Sequence, residues 1–227
     1  MIAMILAAGR GERLRPLTDH TPKPLLEVRG KRLVEWQLEA LAAAGVREVV
    51  VNTAWLEEQF PAVLGDGTHW GLQIRYSMEG RDHGGALETA GGIAKALPWL
   101  GEAFWVVSGD VFVPGFRFDA TFYERFVQSP LLAQLWLVPN QPHHPEGDFG
   151  IDAASGLATR SAPRRTWASV GLFRRELFDG IVPGTRMPLR PLFESALDAG
   201  RLGAEAWDGE WTDVGTVERL RSLHHAV

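Results

Sequence analysis

Short apolar segments alternate with helical segments through the first half of the chain, and this alternation constrains the fold more than any other feature. Residues 1–7, 48–52 and 104–108 are short and mostly apolar, which predicts buried strands. Residues 33–44 have apolar side chains at helical spacing and are followed by Gly45, a common residue after a helix end. Strands that alternate with helices are typical of a parallel sheet covered on both faces.

The other predicted elements complete an α/β protein. The remaining predicted strands are residues 72–76, 131–138, 149–152 and 167–173, and the remaining predicted helices are residues 55–64, 89–97, 188–199 and 216–225. The second half is less regular than the first, and neither a repeat nor a linker interrupts the sequence. We expect residues 1–227 to form a single domain with a Rossmann-like, three-layer α/β/α fold and a mostly parallel, mixed central sheet.

Composition excludes several classes of function. The chain has no cysteine, which rules out disulfides and thiolate chemistry and fits a cytoplasmic protein. Its net charge of −5 disfavours a nucleic-acid surface, and no apolar run approaches the roughly 18 residues of a membrane span. Residues 10–23 nevertheless carry four basic and two acidic side chains, a balance that suits a small polyanion. We expect small-molecule substrates, with no nucleic-acid or membrane partner.

The loop after the first strand has the composition of a phosphate-binding loop. Gly9 and Gly11 allow backbone N–H groups to close around phosphate oxygens, while Arg13 and Lys23 offer positive charge. A dinucleotide-binding fingerprint would need a third glycine at Leu14, and the three prolines that follow prevent a helix from starting there. A nicotinamide-dependent oxidoreductase is therefore the weaker alternative, and an ordinary basic surface loop is the other.

The same loop carries a specific resemblance. The segment LAAGRGERLRPLT followed by TPKPL resembles the opening of the sugar nucleotidyltransferase family, LAAGxGxRxxPxT followed by PKP, with both halves in register. The resemblance implies that Arg13 and Lys23 are catalytic and that Lys23 contacts phosphate near the reacting phosphorus. It also implies a group of residues around the nucleotide: Ala7, Ala8, Gly9, Gly11, Glu12 and Arg13.

Two aspartates are candidates for binding one metal ion. Asp110 ends a buried strand in the sequence FWVVSGD, and Asp213 lies in WTDVGT before the last predicted helix. Mg²⁺ needs one or two carboxylates together with substrate oxygens and water. Either aspartate alone could be a turn or helix-cap residue. Together they resemble the metal-binding pair of the family, which implies Mg²⁺ as cofactor. The resemblance also implies that Asp213 contacts the sugar.

Further positions are implied by the same family resemblance. The sequence LETAG at residues 87–91 resembles the family segment beside the base and the sugar, which makes Glu88 a sugar-binding candidate, although it could equally be a charged residue at a helix start. Glu79 and Gly80 stand where the family places residues that read the base, and residues 81–85 resemble an insertion. Ser108, a further sugar-side candidate, stands where relatives often carry asparagine.

The second half resembles one branch of the family, the N-acetylmuramate α-1-phosphate uridylyltransferases of peptidoglycan recycling. The resemblance rests on Glu88-Thr89, on a histidine pair followed by GDF at residues 143–149, and on GEWTDVGT at residues 209–216. It implies that Asp148, Ser169 and Gly171 line the sugar pocket. A muramate substrate carries a lactyl carboxylate, for which Arg186 is a candidate partner. An exposed arginine before a helix remains an equal alternative.

These features predict an enzyme that forms UDP-N-acetylmuramate and pyrophosphate from UTP and the sugar 1-phosphate with Mg²⁺. A thymidylyl-, cytidylyl- or guanylyltransferase that acts on another sugar 1-phosphate is the enzymatic alternative. The non-enzymatic alternative is a sugar-nucleotide-binding regulator that retains the fold without the chemistry.

Overall fold

The computed structural model describes residues 1–225, and its elements are numbered here in chain order. The strands are β1 (Ile2–Leu6), β2 (Glu27–Val28), β3 (Lys31–Arg32), β4 (Glu48–Thr53), β5 (Gln73–Met78), β6 (Ala103–Ser108), β7 (Val111–Phe112), β8 (Ala133–Val138), β9 (Gly150–Ile151), β10 (Ala158–Thr159), β11 (Thr166–Arg174), β12 (Leu202–Ala206) and β13 (Thr212–Asp213). The helices are α1 (Leu33–Ala43), α2 (Gln59–Leu64), α3 (Glu79–His83), α4 (Glu88–Ala96), α5 (Ala120–Gln128), α6 (Arg190–Asp198) and α7 (Val217–His225).

Within residues 1–225, seven strands form the central sheet in the order β12-β8-β11-β6-β1-β4-β5. Strand β1 pairs in parallel with β4 and β6, β4 pairs in parallel with β5, and β8 pairs in parallel with β12. Strand β11 runs antiparallel to both of its neighbours, β6 and β8. The sheet is therefore mixed and mostly parallel, as the sequence predicted.

The two faces of the sheet pack against separate apolar layers. Along β6, Trp105 and Val107 enter the layer that contains α1, whereas Phe104 and Val106 enter the layer that contains α4. This division follows from the two-residue repeat of a strand, which sends successive side chains to opposite faces. Both layers are buried, so the predicted three-layer arrangement is confirmed.

A third apolar cluster joins the last helix to the first loop. Leu220 and Leu223 of α7 pack with Leu14 of the loop, and Val28, Leu33, Phe112 and Val214 complete this cluster. Because burial of such side chains contributes roughly 1.5–3 kcal/mol each, the contact fixes α7 against the loop that carries the glycines.

The register of the parallel strands defines the edge at which the candidate site lies. Leu6, the last residue of β1, is paired with Asn52 of β4 and with Ser108 of β6. These three positions mark the carboxyl ends of adjacent parallel strands, where ligands of open α/β sheets bind. The first loop leaves the sheet at the same edge.

Several elements differ from the sequence prediction. The sequence predicted a helix over residues 55–64, but the α-helix begins only at Gln59. Leu56 has a left-handed backbone (φ 47°), which an α-helix does not allow. Helix α5 and strand β12 were not predicted, and the inserted segment at residues 81–85 contributes to the short helix α3. No helix in the described residues is both long and apolar enough to cross a membrane.

Candidate active site

The first loop leaves β1 without entering a helix. Its regular structure is confined to short 3-10 turns at Glu12–Leu14, Leu17–Asp19 and Lys23–Leu25, as expected from its prolines. Gly11 adopts a left-handed conformation (φ 68°), and its carbonyl accepts a hydrogen bond from the Thr18 hydroxyl at 2.8 Å. The loop therefore folds back on itself.

Two adjoining cavities lie where this loop meets the carboxyl edge of the sheet. The first has a volume of about 370 Å³, within the range of ligand pockets, and is lined by Leu6, Ala7, Ala8, Gly9, Arg10, Lys23, Pro24, Asn52, Ala86, Glu88, Thr89, Ser108, Asp110 and Arg186. The second is lined by Gly9, Arg10, Gly11, Glu12, Arg13, Leu14, Lys23, Asp110 and Gly215. Most of the residues predicted at the nucleotide thus line one space, and Lys23 and Asp110 are shared by both cavities.

Lys23 and Asp110 form a direct ion pair at the junction of the two cavities. The Lys23 ammonium lies 2.6 Å from Oδ2 of Asp110, and the Ser108 hydroxyl donates to Oδ1 at 2.6 Å. Lys23 is buried, whereas about a third of the Asp110 side chain is accessible. Burial opposes ionisation of Asp110, but the ammonium and the hydroxyl outweigh it, so the pKa of Asp110 is held below its usual value. The carboxylate is ionised and faces the cavities.

Asp213 reaches the same region through a short strand pair. Strand β13 pairs antiparallel with β7, and the N–H of Val214 donates to the carbonyl of Asp110 at 2.9 Å. This pairing places the backbone of Asp213 beside that of Asp110, although the two lie about a hundred residues apart in sequence. The Asp213 carboxylate pairs with Arg219 and lies 3.1 Å from Nε2 of His143.

The donor chemistry of this pair fits Mg²⁺. Asp110, which precedes β7 and lines both cavities, and Asp213, which is on β13, supply the carboxylate ligands that Mg²⁺ prefers. No cluster of three or more histidine, aspartate or glutamate side chains suited to a metal occurs in the described part of the chain. In the described part of the chain, protein side chains alone therefore do not complete a coordination shell, so Mg²⁺ would need further ligands from substrate and water.

Glu79 lies behind the cavity wall rather than in it, and its contact with the base stays a prediction. It is fully buried, and its carboxylate accepts hydrogen bonds from the Asn52 amide and from the N–H of Leu87, both at 2.7 Å. Asn52 in turn accepts the N–H of Ala7 at 2.9 Å. Burial raises the pKa of Glu79, although these two donors oppose the shift. The Glu79–Asn52 relay joins the first loop to the start of α4.

Gly80 is also enclosed by protein. Its N–H donates to the Glu57 carboxylate at 3.1 Å, and a Cβ added there would lie 2.5 Å from the carbonyl oxygen of Ala54. Only glycine fits so close to that backbone. Within the described residues it lines neither cavity, and it lies in the first turn of α3, packed against Ala54 and Glu57.

The residues predicted on the sugar side are more dispersed. The Asp148 carboxylate accepts the N–H of Trp167 at 2.8 Å and pairs with Arg190 at 3.3 Å and with His144 at 3.4 Å. Ser169 lies in an irregularity of β11 with φ 58°, next to Val170, which is paired with Val107 near the end of β6. Ser169 is therefore at the site edge of the sheet.

Gly171 is in the interior of the sheet, which does not fit its predicted place in the sugar pocket. It is paired with Val106 of β6 and Leu135 of β8, and an added Cβ would lie 2.9 Å from the carbonyl oxygen of Gln134. The structure therefore gives Gly171 a packing function, because no larger residue fits between the strands.

Sequence reasoning missed several polar residues at the site. Asn52 lines the first cavity, and its place at the end of a predicted strand was a usable signal. Arg10 lines both cavities, with its guanidinium 3.4 Å from the ring centre of Trp55. Arg219 contacts Asp213 from one turn into α7, and no sequence pattern marked it.

Comparison with known proteins agrees with this geometry. The family model described as nucleotidyl transferase matches residues 2–227. The N-acetylmuramate alpha-1-phosphate uridylyltransferase of Neisseria meningitidis is 47% identical over 97% of this chain and 96% of its own length. The protein of the same name from Caulobacter vibrioides is 45% identical over 94% and 91%.

More distant relatives share the fold or part of their length. The UTP–glucose-1-phosphate uridylyltransferase of Synechocystis is 30% identical over 96% of this chain but only 61% of its own length. A crystal structure described as a glucose-1-phosphate thymidylyltransferase of Bacillus anthracis, in complex with sucrose, superposes with a TM-score of 0.82. That superposition covers 99% of this chain and 94% of that one at 20% identity, and it bears on the fold alone.

Proposed function

Because the chain belongs to the nucleotidyl transferase family, we propose that it is a sugar-1-phosphate uridylyltransferase that forms UDP-N-acetylmuramate and pyrophosphate from UTP and N-acetylmuramate α-1-phosphate. The observation that carries the general reaction is the convergence of the glycine loop, Lys23 and Asp110 on two adjoining cavities. The choice of base and sugar is supported by two relatives of that activity, each 45% identical or more over nearly the whole chain.

The reaction requires little covalent work from the protein. A phosphate oxygen of the sugar 1-phosphate attacks the α-phosphorus of UTP, and the bond from that phosphorus to the bridging oxygen of the β-phosphate breaks. Charge moves from the attacking oxygen to the leaving pyrophosphate, so positioning and positive charge supply most of the rate enhancement. The candidate site offers both.

Each part of the site has a matching task. The backbone from Ala7 to Gly11 and the side chain of Arg13 would surround the nucleotide phosphates. Lys23, already desolvated beside Asp110, would turn its ammonium toward the α-phosphate when that carboxylate takes another partner. Glu88 and Ser108 line the first cavity where the sugar phosphate would approach.

We assign Mg²⁺ to Asp110 and Asp213. When bound, it would supply positive charge at the α-phosphate and at the incoming sugar phosphate. The β7–β13 pair and the bond from the N–H of Val214 to the carbonyl of Asp110 hold the backbones of the two aspartates near each other. Their present partners, Lys23 and Arg219, would then be free to meet phosphate oxygens.

The sugar would lie toward Asp148 and Ser169. Asp148 is fixed by the N–H of Trp167 and offers a carboxylate oxygen to hydroxyl groups. The similarity to the two muramate-specific relatives supports a role in peptidoglycan recycling, and therefore a cytoplasmic location where UTP is available.

A grid of four nucleoside triphosphates against several sugar 1-phosphates, read by pyrophosphate release, tests this proposal. UTP with N-acetylmuramate α-1-phosphate should give the highest kcat/KM, and omission of Mg²⁺ should abolish turnover. A clear preference for glucose 1-phosphate would overturn the sugar assignment, and a preference for dTTP or GTP would overturn the base assignment. Absence of turnover with every pair would favour the sugar-nucleotide-binding regulator.

A further inference from the structure

Two guanidinium groups meet over Gly215, at the start of α7. A Cβ added to Gly215 would lie 2.5 Å from Nη2 of Arg219 and 3.2 Å from Nη2 of Arg13. Gly215 also lines the second cavity, together with Lys23 and Asp110. Both arginines therefore reach the rim of the space that contains the glycine loop, and the absence of a side chain at Gly215 permits their approach.

Positive charge at this rim is only partly balanced. Lys23 is paired with Asp110 and Arg219 with Asp213, while Arg13 and Glu12, which both line the second cavity, form no ion pair with any side chain of residues 1–224. Nη1 of Arg219 also lies 2.8 Å from Nε2 of His143, which is itself 3.1 Å from the Asp213 carboxylate. Like charges at such short range are unfavourable without an anion between them. The rim is arranged to receive one.

The positions of both arginines are fixed by the same apolar contacts. Leu14, which follows Arg13, packs in one cluster with Leu220, which follows Arg219. The Thr216 hydroxyl accepts the backbone N–H of Arg219 at 3.3 Å and so anchors the first turn of α7. The side chain of Arg219 is 19% exposed, and its Nη2 lies beside Gly215, which lines the second cavity. These contacts therefore hold the two guanidinium groups near each other.

We propose that Arg219 is a ligand for the β- and γ-phosphates of the nucleoside triphosphate, and for the pyrophosphate product, on the side opposite Arg13. This inference rests on the proposed function. The ion pair of Arg219 with Asp213 is then the resting arrangement, for which bound phosphates compete even without metal, and the transfer of Arg219 is more complete when Asp213 takes the metal ion. A planar guanidinium can donate two parallel hydrogen bonds to a phosphate, which suits a leaving group that gains negative charge.

Metal-free binding of tripolyphosphate, measured by calorimetry in EDTA, tests the proposal without requiring turnover. We expect Arg219→Gln to weaken binding roughly ten- to one-hundred-fold, the usual effect of losing a charged hydrogen-bond donor, and Arg219→Lys to lose less. Arg221→Gln is the matched control, because Arg221 is an exposed arginine on the same helix. Its affinity should remain at the wild-type value. Thermal unfolding of each variant verifies that it is folded.

The variant Asp213→Asn separates binding by Arg219 from positioning of Asp213. It releases Arg219, so it should tighten metal-free tripolyphosphate binding, and this gain should disappear in the double variant Asp213→Asn, Arg219→Gln. Unchanged affinity in Arg219→Gln, with only the Mg²⁺ dependence of turnover altered, would show that Arg219 merely positions Asp213. Undetectable binding by the wild type in EDTA would also overturn the inference. Failure of the proposed function would appear separately, as absent turnover by a wild-type protein that still binds tripolyphosphate.

Discussion

The two sides of the candidate site are held together by different forces. The nucleotide wall, defined as residues 6–9 with Asn52, Glu79 and Leu87, is connected by buried hydrogen bonds at the ends of parallel strands. The sugar wall, defined as residues 143–149 with Ser169 and Arg190, includes two exposed ion pairs of Asp148, one with His144 and one with Arg190. The pair of Arg190 with Asp148 is an example, since half of the Arg190 side chain is exposed.

The difference indicates which wall is preformed. An unpaired buried polar group costs about 1–3 kcal/mol, so each member of the nucleotide wall enforces the position of the next. Exposed ion pairs contribute a median of roughly 0–1 kcal/mol and are easily rearranged. A rigid wall suits the triphosphate, which all relatives of this kind would share, and an adjustable wall suits a sugar that differs between them.

The largest effect is expected where the nucleotide wall meets the metal pair. Asp110→Asn and Asp213→Asn should each lower kcat by about 10²–10³, or roughly 3–4 kcal/mol, because each carboxylate acts on charge that moves in the transition state. Both variants should remain folded, since asparagine keeps the shape of the side chain. Steady-state pyrophosphate release against Mg²⁺ concentration is the measurement.

The double variant sharpens this test. Two ligands of one ion act as a unit, so kcat of the double variant should fall by a factor far smaller than the product of the two single-variant factors. Lys23→Ala should slow turnover but leave the Mg²⁺ dependence near that of the wild type. Wild-type activity and Mg²⁺ affinity in Asp213→Asn would show that Asp213 is not a metal ligand and merely precedes the last helix.

The next largest effect is a loss of stability, which we compare for one asparagine in each half of the protein. Asn52→Ala leaves the N–H of Ala7 and an oxygen of buried Glu79 without partners, so it should lower the free energy of unfolding by about 1–3 kcal/mol and raise the KM for UTP. Asn140→Ala removes two bonds to the carbonyls of Pro145 and Arg164, which are exposed and can bond to water instead, and one bond from the Thr166 hydroxyl at 2.9 Å, which is partly buried. Urea unfolding should show the smaller loss for Asn140→Ala. Equal losses would refute the contrast between the walls.

The same contrast explains how much the sequence could predict. The first loop, Lys23 and Asp110 were found because their pattern is continuous or lies at the end of an apolar strand. The Asn52–Glu79 relay joins residues 27 positions apart, and nothing in either local pattern signals burial of a carboxylate. The position of Glu79 behind the cavity wall was therefore not predicted.

The second half was harder to predict because its structure depends on distant pairings. Strand β12 has the sequence LGAEA, which has little β propensity, and it forms because β8 provides a parallel partner. Helix α5 fully buries Phe126 alone among its residues, while Phe122 and Tyr123 pack partly buried against the core, and this spacing of aromatic side chains was a usable signal. The register shift in β11 between Trp167 and Gly171 moves Ser169 to the site edge and leaves Gly171 inside the sheet. A shift of register has no sequence signature at that position.

A pH-dependent effect of intermediate size should arise from Glu79. Burial raises the pKa of Glu79 above its model-peptide value of 4.5. In the interval from 4.5 up to the folded-state pKa, the folded protein retains a proton that the unfolded chain has lost. The free energy of unfolding should therefore fall as pH rises through this interval, by at most about 1.4 kcal/mol per pH unit for one proton.

The variant Glu79→Gln isolates this contribution, because glutamine does not titrate. The stability of the wild type relative to Glu79→Gln should decline with rising pH and become constant above the folded-state pKa. Urea unfolding of both proteins between pH 4 and pH 8 measures the difference. A relative stability that rises with pH would mean that the hydrogen bonds from Asn52 and Leu87 dominate over burial.

The smallest effect is expected for Arg190, on the sugar wall. Arg190 pairs with Asp148 at 3.3 Å and with Glu194 at 2.7 Å, but half of its side chain is in solvent. Arg190→Ala should therefore cost about 0.2–1 kcal/mol of stability, and the cost should shrink further at high salt. Arg117→Ala is the control, because exposed Arg117 forms no ion pair within residues 1–225. The N–H of Trp167 still holds Asp148 in place, so the KM for the sugar phosphate should change by a few-fold while the KM for UTP stays constant. A stability loss as large as that of Asn52→Ala, or one that does not depend on salt, would show that the sugar wall is as firmly built as the nucleotide wall.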